Sequence, residues 1–78
     1  MTQEEHAGLG DSQNARILAA LEAAGGAWVP MPDLAAASGA YAVHSRVAEL
    51  RLRGHDIGHR NERDGRRVRS FYRLEPQP

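Results

Sequence analysis

Seventy-eight residues without a cysteine make a single small domain, since chains split into two only well beyond a hundred residues. Folding at this size buries roughly 60% of the extended chain's surface and leaves a stability of a few kcal/mol. A deep catalytic cavity, disulfide staples, thiolate metal sites and a thiol nucleophile are all excluded as expectations. The apolar stretches are alanine-rich and broken by Glu22 or Gly25, far short of the run of about 20 residues that spans a bilayer. Met1–His6 is polar and acidic, unlike a secretory signal. The expectation is a cytoplasmic protein with no membrane partner.

The formal net charge of zero conceals a split. Residues 1–43 hold Arg16 against Glu4, Glu5, Asp11, Glu22 and Asp33, whereas residues 44–78 hold nine arginines against Glu49, Asp56, Glu62, Asp64 and Glu75. Between Arg60 and Arg73 there are six arginines and only two acids, Glu62 and Asp64. A one-sided positive field attracts polyanions whatever the net charge. All ten basic residues are arginine, whose rigid fork suits phosphates and guanine edges. A GC-rich coding sequence would favour arginine over lysine too, but it does not place the arginines in one half.

Residues 1–10 lack periodicity and contain Gly8 and Gly10, so they read as a disordered, frayed tail. The domain is expected over residues 11–74. Its first helix opens at Asp11-Ser12, either of which can cap free N–H groups. Ile17, Leu18, Leu21 and Ala24 form the apolar face, and Gly25-Gly26 ends the helix. Ala27-Trp28-Val29 is a short strand that Pro30 and Pro32 keep from lengthening; Trp28 is expected to pack the first helix against the sheet.

A second helix is predicted from about Pro32 to Ser38, with the proline in the first turn and Asp33 at the positive helix end. Leu34 and Ala35 face inward and Gly39 stops it. Ala40-Tyr41-Ala42 forms a tight turn into a third helix that reaches Arg53 and closes at Gly54. Val43, Val47 and Leu50 are its buried stripe. The period then changes from 3.6 to 2. Asp56–Asn61 and Arg67–Leu74 flank a Glu-Arg-Asp-Gly turn in which Asp64-Gly65 is a hairpin signal. Val68, Ser70, Tyr72 and Leu74 share one strand face; Arg67, Arg69, Phe71 and Arg73 share the other. Residues 75–78 read as a tail. The fold class is α+β in the order α-β-α-α-β-β: a winged helix-turn-helix with three helices, a short strand and a two-stranded wing.

The run Arg46-Val47-Ala48-Glu49-Leu50-Arg51-Leu52-Arg53-Gly54-His55-Asp56-Ile57 resembles the R-[IV]-x-E-L-R-x-R-G-x-x-I signature of small winged helix domains from phages and bacteria. Ala15–Leu21 is similar to the first helix of that family, and Tyr72-Arg73-Leu74 to its closing wing strand. The resemblance spans roughly residues 12–74. It implies a double-stranded DNA-binding module for transcription regulation or phage DNA handling. The turn after Gly39 is short and alanine-rich, which argues against extensive base readout.

A helix enters the major groove with one face packed and the other open, and its N-terminal part meets base edges. With Val43, Val47 and Leu50 inward, a 100° step sets Tyr41, Ser45, Ala48 and Leu52 opposite, with His44 and Glu49 at the margins. Tyr41, Ala42, His44 and Ser45 are the candidate base contacts, and Arg51 and Arg53 meet phosphate more readily. Tyr41 could equally anchor the turn, His44 could be a solvated side chain, and Arg46 suits an internal ion pair. Leu52 could mark a homodimer contact. On the wing, Arg60, Arg63, Arg66, Arg67, Arg69 and Arg73 would lie along the backbone or enter a narrow minor groove. The other reading of that strand is an edge protected from aggregation by charge. Phe71 suits base stacking or packing under arginine stems.

His55 and His59 lack a third metal ligand at obvious spacing. Ser12, Ser38, Ser45 and Ser70 stand outside any catalytic motif, and no glycine-rich phosphate loop opens a helix. No enzymatic activity, cofactor, metal or small-molecule substrate is expected. The alternative function is a winged-helix protein-interaction module, with a protein partner in place of DNA.

Overall fold

Ile17 and Leu21 recur one turn apart and anchor the first helix, α1, which the computed structural model places over Thr2–Ala23. The structure describes the backbone of residues 2–75 and the side chains of residues 11–75. α1 therefore starts nine residues before Asp11, within the segment expected to be a frayed tail. Glycine lowers helix stability by about 1 kcal/mol, but extending a nucleated helix costs far less than starting one. Gly8 and Gly10 thus weaken the helix without ending it. Asp11, expected as a cap, sits inside α1 and its carboxylate takes a hydrogen bond from Arg53 at 2.7 Å. Of the expected C-terminal tail, only Glu75 lies within the described residues, and its N–H donates to the Asp56 carbonyl at 2.9 Å.

After α1 come β1 (Val29–Pro30), α2 (Met31–Ser38), α3 (Val43–Leu52), β2 (Ile57–Asp64) and β3 (Arg67–Leu74). This is the winged helix-turn-helix order. β1 is not a separate strand: it pairs antiparallel with β3, giving a three-stranded sheet in the order β1-β3-β2. β3 has the expected bounds, whereas β2 runs three residues past Asn61 because Glu62-Arg63-Asp64 stay paired, Asp64 opposite Arg67. The turn shrinks to Gly65-Arg66, where Gly65 alone has positive φ, at 61°, as in a two-residue II′ hairpin.

The α2–α3 turn is held by short-range bonds. Gly39 takes the left-handed conformation and donates to Ala35 at 2.7 Å. The Ser38 hydroxyl donates to Leu34 at 2.7 Å and accepts from the Ala40 N–H at 3.2 Å. The end of α3 is a Schellman motif: Gly54 N–H reaches Arg51 and His55 N–H reaches Leu50, at 3.0 and 3.1 Å, with Gly54 at φ 99°. A side chain there must adopt a conformation that costs about 1–2 kcal/mol. Gly54→Ala is accordingly expected to lower unfolding free energy by about 1 kcal/mol in a urea titration.

The core joins every layer: Ile17 and Leu21 of α1, Leu34 of α2, Ala40 of the turn, Val43, Val47 and Leu50 of α3, and Ile57 and Tyr72 of the sheet. The predicted stripe of α3 is buried. On the inner sheet face, Tyr72 and Leu74 reach the core, but Val68 is 58% exposed because the hairpin outruns the helices. Trp28 departs from expectation. Val29 pairs with the inward-facing Tyr72, so strand alternation sends Trp28 to the outer face. There its ring lies under the Arg73 guanidinium, 4.5 Å from the ring centre, with Arg60 at 5.8 Å.

Candidate nucleic-acid interface

α3 presents the face its spacing predicts. Tyr41, Ala42, Ser45, Ala48 and Leu52 are all exposed, Tyr41 completely and Leu52 at 89%. Tyr41 is therefore no anchor for the turn. Ala42 occupies the N-cap position of α3 and supplies no side-chain hydrogen bond. The first N–H groups of α3 thus keep their donors, at the end of the helix that carries positive partial charge.

His44 does not simply project into the groove-facing surface. Its Nδ1 is hydrogen-bonded to the Tyr72 hydroxyl, and its ring meets those of Tyr72 and His59 edge-on at centroid distances of 5.6 and 5.7 Å. His59 stacks on Tyr72 at 4.7 Å. Burial pushes the Tyr72 pKa up, opposed in part by Arg51, so the phenol keeps its proton. The hydroxyl and Nδ1 share one hydrogen bond, in which donor and acceptor depend on the imidazole tautomer. This contact ties the first turn of α3 to the hairpin. Tyr72→Phe should cost about 1 kcal/mol at neutral pH. A pKa raised on folding contributes stability that is present below the ordinary tyrosine value and is lost as pH climbs through the folded value. The melting temperature of the native chain should consequently fall faster above pH 10 than that of Tyr72→Phe.

The arginines divide into occupied and available groups. Arg51 donates from Nε and Nη2 to the Ile57 carbonyl at 3.0 and 2.7 Å, which fixes the end of α3 to the start of β2. Arg46 pairs with Glu49, and Glu49 accepts at 3.2 Å from the buried Asn14 side chain of α1. Arg53 is engaged by Asp11, Arg60 by Glu62 at 2.6 Å, and Arg73 by Glu75 at 3.1 Å. Arg69 has only a loose, exposed pairing with Asp64 at 3.9 Å. Arg63, Arg66 and Arg67 are exposed and, among the described residues, lie within 4 Å of no carboxylate. The available charge thus collects at the wing tip.

The register relates that tip to α3. His59 pairs with Tyr72, and the first turn of α3 rests on this row through His44. The hairpin then continues through Asn61 opposite Ser70, whose side chains hydrogen-bond at 2.9 Å, and Arg63 opposite Val68. Arg63 belongs to the inner-face set, whereas Arg60, Arg67, Arg69 and Arg73 alternate onto the outer face. The wing arginines therefore do not form one surface.

Sequence reasoning missed the His44–His59–Tyr72 cluster, although a two-residue turn at Gly65-Arg66 would have set His59 opposite Tyr72. It also missed Asn14, for which the sequence carries no local signal. Among the described residues, no three potential metal ligands come together. Compared with family models, curated proteins and solved structures, the chain matches none.

Proposed function

We propose that this winged helix domain binds double-stranded DNA, in transcription regulation or phage DNA handling. The α3 face of Tyr41, Ala42 and Ser45 enters the major groove and the wing tip holds the phosphate backbone. The observation that carries this reading is the concentration of acid-free arginines, Arg63, Arg66 and Arg67, at the end of a hairpin that runs past the first turn of α3. The resemblance of Arg46–Ile57 to small DNA-binding winged helix domains supports it. Yet Arg46, Glu49, Leu50, Arg51, Arg53, Gly54 and Ile57 within that run each make an internal contact or turn. The motif therefore argues for the fold, and the wing charge argues for the ligand.

Few residues in the groove-facing set can discriminate bases, since alanine contributes at most a thymine-methyl contact and serine hydrogen-bonds to either base. Binding should therefore be strongly electrostatic and weakly sequence-selective. A titration of the isotopically labelled chain with a short random-sequence duplex tests the placement. Amide shifts are expected at Val43–Ala48 and Arg63–Arg67. Shifts confined to the exposed end of α3 around Leu52, or none at low salt, would contradict it.

A further inference from the structure

β3 is longer than its neighbour on one side. β1 covers only Tyr72 and Phe71, because the chain turns into α2 at Met31, so Arg67–Ser70 has no strand partner on that edge among the described residues. The two-residue turn makes Asp64 and Arg67 a hydrogen-bonded pair, which directs the N–H and C=O groups of Arg67, Arg69 and Phe71 toward β2. Those of Val68 and Ser70 consequently point outward from the sheet. The same alternation explains why β1 tolerates Pro30: opposite Phe71 it is not asked for a donor.

Beside this open edge lies a cavity of about 270 Å³, walled by Pro30, Met31, Pro32 and Asp33 on one side and Val68, Arg69 and Ser70 on the other, so that the peptide side chains entering it must be apolar rather than acidic. Its lining is mainly apolar, and Val68 remains 58% exposed within it. On the outer face of the same four residues stand Arg67, without an acidic partner among the described residues, and Arg69, only loosely paired.

We infer that this edge accepts an extended acidic peptide from a partner protein as an additional strand. Backbone bonds to Val68 and Ser70 hold the peptide, as in other complexes formed by strand addition. The register fixes its pattern: acidic residues opposite Arg67 and Arg69, apolar β-branched residues opposite Val68 and Ser70 and directed toward the cavity. A second copy of this chain does not fit, because pairing two such edges sets arginine against arginine, and like charges directly opposed repel. Duplex DNA reaches arginine side chains but offers no strand backbone to Val68 and Ser70. The inference does not rest on DNA binding, although an acidic peptide on this edge and a duplex on the wing tip would compete for Arg67.

The test uses two fluorescein-labelled peptides of identical composition: Ser-Glu-Val-Glu-Val-Glu-Ser, and the blocked order Ser-Glu-Glu-Glu-Val-Val-Ser. The alternating peptide should bind at least about tenfold more tightly and slow hydrogen exchange at the Val68 and Ser70 amides about tenfold. Arg69→Gln should shrink the difference several-fold and Val68→Asp should abolish it, both variants keeping the far-UV circular dichroism of the folded chain; Gln avoids setting a second acid opposite Glu62. Equal binding of the two peptides, unaltered exchange at Val68 and Ser70, or protection of these amides by duplex DNA alone would overturn the inference.

Discussion

Tyr72→Ala should leave the chain largely unfolded at room temperature. Tyr72 is 2% exposed, stacks on His59, bonds His44, and sits where β3 meets the helices. Removing a buried aromatic ring costs about 3–5 kcal/mol, comparable with the whole stability of a domain this small. Far-UV circular dichroism and a urea titration check this directly. A cooperative transition within about 1 kcal/mol of the native chain would show that Tyr72 does not join sheet and helices as described. Tyr72→Phe, which keeps the ring, should remain folded and so separate loss of packing from loss of the hydroxyl.

The second large effect concerns the wing. Changing Arg63, Arg66 and Arg67 together to alanine should reduce duplex affinity roughly 100-fold at low salt, taking about 1 kcal/mol for each exposed contact. The slope of log K against log salt should flatten by about 2.7, because each lost phosphate contact removes about 0.9. Stability should be unchanged, since none of these side chains makes an ion pair among the described residues. The comparison variant is Arg51→Ala. Its guanidinium is held by the Ile57 carbonyl, so the fold should weaken while the salt slope stays near that of the native chain. A flattening as large as that of the wing variant would show Arg51 to be a phosphate ligand.

The contrast between these arginines shows where the sequence was legible. Val43, Val47 and Leu50 could be assigned from spacing alone, because helical periodicity is a local property. Gly54 and Gly65 were legible for the same reason: a left-handed residue at a helix end or a tight turn favours glycine wherever it occurs. The roles of Arg51, Arg53 and Arg60 were not local. Arg51 meets a carbonyl made available by the bend into β2, and Arg53 meets Asp11 across the fold. A density of arginines in the sequence therefore overstates the charge available to a ligand, and only the pairing distances separate the two.

Trp28 and His44 illustrate a related gap. Strand alternation decides which sheet face receives a residue, and it depends on knowing the register, which for β1 is set by its pairing with β3. Once Val29 lies opposite Tyr72, Trp28 belongs outside with Arg73. His44 sits at the edge of the predicted groove-facing arc, and its engagement with Tyr72 follows from packing between α3 and the hairpin. His44 stays exposed with only its Nδ1 engaged, so its place among the candidate base contacts depended on packing that spacing alone does not show.

Fluorescence anisotropy of a labelled random-sequence duplex, titrated with the native chain across a series of salt concentrations, tests the central claim most directly. Three or more phosphate contacts through Arg63, Arg66, Arg67 and their neighbours predict tight binding at low salt and a slope of log K against log salt of about −2.7 or steeper. Absence of binding at low salt, or an affinity that salt leaves unchanged, would contradict DNA recognition by this wing.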